Sequence, residues 1–178
     1  MFYEVTAEDI IRVPPNMIRK DKKETIYNIL RSSYIGIVRK DLGIIVTIKD
    51  VDEIGEGKIV PEDGGIYYNV KFRAIVYRPE LNSLVYGVVN NIADFGAFVN
   101  IGPLDGLAHI SQIMDDQVTV SGREALIGKT TKKVLKLKDV VKARIVSISY
   151  KDITTIKVAL TMKQPGLGKL EWLEEKKK

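Results

Sequence analysis

The side chains best suited to chemistry in this 178-residue chain are two rings, one imidazole and a set of cations in its second half. Phe95 and Phe98 flank Gly96 in Asp94-Phe95-Gly96-Ala97-Phe98-Val99. The single histidine, His109, follows in Gly106-Leu107-Ala108-His109-Ile110-Ser111. Lys142 and Arg144 alternate further on, and Lys157 comes later. Displayed rings stack on bases and spaced cations follow a phosphate track, so these residue types suit a single-stranded nucleic acid. Plainer roles stand beside that one: Phe98 lies in an apolar strand where a core ring fits equally well, and a lone histidine is commonly an ordinary polar residue.

Bond-breaking chemistry finds less support. One histidine and no cysteine leave no His-rich zinc site and no Cys/His nucleophile pair. Asp115-Asp116 and the group Asp50, Asp52 and Glu53 fall in turn-like contexts and read as solvated surface rather than a cation site. Gly128-Lys129-Thr130 has the ending of a phosphate-binding loop, which needs a glycine five positions before Gly128. Arg123 stands there instead. Lys129, Lys132, Lys133, Lys136 and Lys138 then read as a basic run on a surface loop, helping to attract phosphates. No catalytic site, metal or cofactor is expected.

The elements that must position these residues are short strands. Apolar positions of period two and glycine turns predict strands near 82–91, 96–101, 105–108, 139–150 and 156–162, which suits a small barrel. The stretch from Asp115 to Val134 exceeds what a plain barrel needs between its third and fourth strands and reads as an inserted hairpin or loop. Leu167 to Leu173 suits a short amphipathic turn carrying Trp172, with Glu174 to Lys178 frayed.

The first half reads differently. A strand over 1–13 ends at Pro14-Pro15. A helix is expected from about Asp21, because Asp21 and Glu24 have capping-box spacing and Ile26, Leu30 and Tyr34 recur every fourth residue. Extended pieces over 35–39 and 44–51 follow, then strict alternation from Ile66 to Tyr77. Between the last two, residues 52–65 hold four glycines and a proline and read as a long hairpin tip. Ile54, Ile59 and Val60 lie on it, either at a mobile end or on a surface that meets a partner.

Composition narrows the class. Apolar residues make up 45% and charged residues 29%, an ordinary globular balance. The net charge of +5 is unevenly spread. Residues 1–80 carry 13 basic and 13 acidic side chains, residues 81–164 carry 11 and 7, and residues 165–178 carry 4 and 3. The surplus therefore lies mostly with the rings, where counterion release would favour RNA; a solvated charged face would show the same count. The absence of cysteine, of an apolar leader and of any long apolar run predicts a soluble, cytoplasmic protein with no membrane contact.

The order and spacing of Gly87-Val88-Val89, the Phe95–Phe98 turn and the His109 segment resemble the S1 RNA-binding domain, a five-stranded barrel of the OB type. The resemblance runs from Leu84 to Thr161. It implies RNA contacts at Phe95, Phe98, His109 and Lys157, the last departing from the arginine common there. Lys142 and Arg144 join the expected face as alternating cations on the fourth strand.

Further residues resemble a family. Gly55-Glu56-Gly57-Lys58-Ile59-Val60-Pro61, Gly64-Gly65-Ile66-Tyr67-Tyr68-Asn69-Val70-Lys71-Phe72 and Gly166-Leu167-Gly168-Lys169-Leu170-Glu171-Trp172 are similar to the large stalk subunit of RNA polymerase, in its archaeal form. That resemblance implies an α+β, truncated RNP-like domain over 1–80 that docks on the polymerase core, followed by an all-β five-stranded OB-type S1 barrel over 81–178. Core docking would fall on Ile54, Gly55, Gly57, Ile59, Val60, Gly64 and Gly65. The implied partners are a small stalk subunit of the F type, the polymerase core subunits and single-stranded nascent RNA. The alternatives are an S1 clamp in a translation or RNA-decay complex, and a structural adaptor without RNA.

Overall fold

A computed structural model describes residues 1–122, 124–152 and 155–175, in two compact units, Met1–Arg78 and Pro79–Lys178. Among these residues no helix is long and apolar enough to cross a membrane.

The first unit is an antiparallel four-stranded sheet with one helix. In chain order it contains β1 (Phe2–Val13), α1 (Lys22–Tyr34), β2 (Val38–Arg39), β3 (Gly43–Ile59) and β4 (Ile66–Tyr77). The sheet order is β1-β4-β3-β2. Alternation on β4 buries Val70, Phe72, Ala74 and Val76 on one face. The helix lays Ile26 and Leu30, one turn apart, into the same core. Its start is set as the spacing predicts: Asp21 Oδ1 accepts the Glu24 N–H at 2.8 Å.

The segment expected as a long glycine-rich tip is different. β3 continues unbroken through it to Ile59, with register slips against β4, and only residues 60–65 turn. Gly57 serves the strand rather than a turn, since a Cβ there would lie 2.7 Å from Ile66 Cγ2 and 2.9 Å from Tyr68 Cε1. The turn itself is tied down. Asp63 receives Arg12 Nε at 2.9 Å, Tyr67 Oη at 2.5 Å and the Gly65 N–H at 3.1 Å. Arg12 above all, then Tyr67, holds the Asp63 carboxyl well below the usual range.

The second unit closes a five-stranded mixed barrel from β5 (Leu84–Ala93), β6 (Gly96–Asn100), β7 (Asp105–His109), β11 (Val140–Tyr150) and β12 (Ile156–Thr161). β7 and β12 pair in parallel, and β12 pairs with β11 to shut the ring. Both parts of the expected fold class hold. The insertion between β7 and β11 is a separate meander of β8 (Val118–Ser121), β9 (Ala125–Gly128) and β10 (Val134–Lys136). It is a folded sheet with Leu126 and Leu135 fully buried, not an open loop. β13 (Gly168–Lys169) adds to β11 and leads into α2 (Leu170–Glu175). The end expected to fray lies partly outside the described residues, as do Arg123 and part of the loop before β12.

Candidate nucleic-acid interface

The outer face of β6, β7 and β12 follows from strand alternation. Ala97, Val99, Gly106, Ala108, Val158 and Leu160 are buried, so the residues between them turn outward. Phe98 stands opposite Leu107, and Leu107 opposite Ala159, forming one outward row across three strands. Gly96 stands opposite His109 in the outward row on one side of it. Lys157, two residues before Ala159, lies in the outward row on the other side, roughly 13 Å along the strands from His109.

Close backbone approach makes this arrangement possible. A Cβ at Gly96 would lie 2.2 Å from the Ala108 carbonyl oxygen, so only glycine lets β6 and β7 meet there. The Ile110 N–H donates to the Phe95 carbonyl at 2.9 Å and keeps the two loops together. Phe95 is 49% exposed and meets the half-buried Phe98 edge-on, with centroids 6.0 Å apart. His109 is exposed, and its Nδ1 accepts the Ser111 N–H at 3.3 Å beside Ser111 Oγ at 2.9 Å. A neutral ring held this way carries its proton on Nε2, where it can donate outward.

Lys142 and Arg144 are not brought to the rings. They face outward where β11 pairs with β5, opposite Tyr86 and Leu84, and β5 stands between them and β6. Lys142 Nζ lies 5.8 Å from the Tyr86 ring centroid, while the buried Nε of Arg144 has no hydrogen-bond partner. Leu84, Tyr86, Val88 and Val140 make this strip largely apolar and exposed. Tyr86 and Leu107 were not singled out from the sequence, although alternation on their strands is the signal that places both outward.

In the first unit, Ile54, Gly55, Gly57 and Ile59 line a shallow groove with Lys22, Glu56, Ile66 and Tyr68. Ile59 is 74% and Val60 45% exposed. Gly64 and Gly65 lie in the turn beyond, packed on Pro15 and Arg12.

Asp116 corrects its own expectation. Far from being merely solvated, its Oδ2 accepts the Thr130 N–H at 2.9 Å, the Thr131 N–H at 2.8 Å and the Thr131 hydroxyl at 2.9 Å. Its Oδ1 takes the Gln117 N–H at 2.7 Å. The Thr131 N–H foremost lowers this carboxyl to about 2. The turn after Gly128-Lys129 is thus closed by a carboxylate of its own chain.

Two domain descriptions match the chain: "SHS2 domain found in N terminus of Rpb7p/Rpc25p/MJ0397" over residues 8–64 and "S1 RNA binding domain" over residues 78–150. The chain is 41% identical to DNA-directed RNA polymerase subunit Rpo7 of Saccharolobus shibatae, covering 100% of both chains. It is 40% identical to the same subunit of Sulfolobus acidocaldarius over 98% of this chain and 96% of that one. DNA-directed RNA polymerase III subunit RPC8 of Saccharomyces cerevisiae is 31% identical over 57% of this chain and 48% of its own. Among solved structures, the apo form of Mycoplasma genitalium RNase R overlaps 45% of this chain and 13% of its own at 27% identity. Its TM-score of 0.38 is too low to add to the sequence matches.

Proposed function

This chain belongs to the Rpo7 family of DNA-directed RNA polymerase subunits, and from that premise we propose that it serves as the large, non-catalytic stalk subunit of a cytoplasmic polymerase. It pairs with a smaller, F-type stalk subunit, and its first unit docks on the polymerase core. The docking residues are Ile54, Gly55, Gly57, Ile59, Val60, Gly64 and Gly65; among them Ile59 and Val60 carry the exposed apolar side chains that become covered on contact. The S1 unit holds emerging single-stranded RNA with sequence-tolerant affinity. Phe95 and Phe98 stack bases, His109 donates to the strand and Lys157 meets a phosphate.

The observation that carries this reading is the end-to-end match to Rpo7, in a chain whose barrel turns Phe98 and Lys157 onto one outer face. The test is recovery of its assembly. The chain, tagged after Lys178, is isolated from native lysate treated with nuclease, and its companions are identified by mass spectrometry. Large polymerase subunits with one small partner are expected. Ribosomal proteins or a nuclease complex in their place would overturn the polymerase assignment.

A further inference from the structure

Charge is not spread over the S1 unit as its overall count suggests. Residues 117–138, the meander, carry six Lys and Arg against one Asp or Glu. The rest of 81–164 carries five against six. The entire positive surplus of this unit therefore sits on the inserted sheet, and the barrel that bears the rings has none.

The two carboxylates that bracket the insert do not neutralise it. Asp116 spends its oxygens on the backbone of Gln117, Thr130 and Thr131 and on the Thr131 hydroxyl, building the β9–β10 turn. Asp139 accepts the Lys136 N–H at 2.7 Å and pairs with Lys169 at 3.1 Å, building the turn into β11. Lys133 lies 5.4 Å from the Trp172 ring centroid, and Lys129 donates to the neutral Gln117 Oε1. Lys132, Lys136 and Lys138 are exposed, and none forms an ion pair among the described residues. Lys132 and Lys138 also have φ of 56° and 67°, a left-handed conformation that glycine or asparagine adopts at lower cost. Lysine thus occupies two corners where the backbone disfavours it.

We infer that the β8–β10 meander is a second RNA-binding element, in which Lys132, Lys136 and Lys138 hold the phosphate backbone of a strand whose bases lie on the barrel. This rests on the RNA-binding reading of the barrel and divides its labour: rings on one element, electrostatic attraction on another. RNA is favoured over an acidic protein because lysine is depleted in protein interfaces, whereas it binds phosphate as a point charge. The meander's lysine corners also show little apolar surface, Leu137 being the exposed exception at 37%.

The test measures binding of the full chain to a labelled oligouridylate of about 16 nucleotides by fluorescence anisotropy across a potassium chloride series. The variant K132N/K136Q/K138N removes three charges, with asparagine at the two corners that need positive φ. Three lost phosphate contacts should lower the slope of log K against log salt by about 2 and weaken binding on the order of 10–100-fold at 0.1 M salt. K132R/K136R/K138R should keep both. Phe98→Ala should weaken binding without changing the slope. A neutralised variant with unchanged affinity and slope, in a chain that binds RNA, overturns the meander's role alone. Failure of the unaltered chain to bind RNA overturns the barrel reading and this one together.

Discussion

Arg73 on β4 sits amid three carboxylates, with Nε 2.9 Å from Asp52, Nη1 3.4 Å from Glu4 and Nη2 3.6 Å from Asp50. Lys49 and Lys23 close the same lattice against Glu4 and Asp50. In the other unit, Lys132, Lys136 and Lys138 form no ion pair among the described residues, and the two acids that bracket the insert, Asp116 and Asp139, hold backbone and Lys169 instead. Both units stand on buried aliphatic cores, so the difference is one of surface. A sheet whose charges cancel one another suits a protein neighbour, since little desolvated charge is left unpaired. A sheet of unanswered lysines suits a polyanion that brings its own countercharge.

The largest effects should come from breaking either core and asking whether the other unit notices. Phe72→Ala empties a site 1% exposed in the first unit and should cost about 3–5 kcal/mol in urea unfolding. Leu160→Ala should cost about 2–5 kcal/mol in the barrel. RNA affinity should fall with the second substitution and stay with the first. Loss of RNA binding in Phe72→Ala would erase the division of roles.

Next in size is the loss of the barrel face. Phe98→Ala with Lys157→Ala should weaken RNA binding by about 1–3 kcal/mol for the ring, with a salt slope lower by about 0.7 for one phosphate contact. Co-purification with the partner subunit should be unchanged. Equal RNA affinity in this double variant would remove the proposed face.

The Asp116 clasp sharpens the comparison through pH. Its folded-state value of about 2 lies below the ordinary 3.8, so its contribution to the meander is present above pH 4 and lost as pH falls from there toward 2. Protection of the Thr130 and Thr131 amides, taken relative to their intrinsic exchange at each pH, should fall over that window. Asp116→Asn should show low protection at these amides at all pH values, with no fall across that window. The smallest effect is expected from Arg73→Ala, which removes the centre of the first unit's lattice and should leave RNA affinity and its salt slope unaltered.

Much of this arrangement was legible because strands announce themselves by alternation. β4 and the five barrel strands were readable from apolar positions two apart, and α1 from Asp21 and the fourfold spacing of Ile26, Leu30 and Tyr34. Glycine misled where it serves packing. Gly55 and Gly57 look like turn residues, yet they let β3 pass under Asn69, Ile66 and Tyr68. Residues 115–134 gave no strong period, since the short strands of the meander bury few side chains, so only their excess length was visible. Alternation also cannot tell which outward strip a cation joins once a sheet closes on itself. Lys142 and Arg144 were grouped with the rings for that reason, and barrel closure puts them beside Tyr86 and Leu84 instead.

The central claim, that RNA is held by the S1 unit and its meander while the first unit is reserved for protein contact, is tested most directly by hydrogen exchange. The full chain is followed by mass spectrometry with and without the oligouridylate. Protection is expected in β6, β7, β12 and residues 128–138, with Met1–Arg78 unchanged. Protection within Met1–Arg78, or none in the barrel and meander, would contradict it.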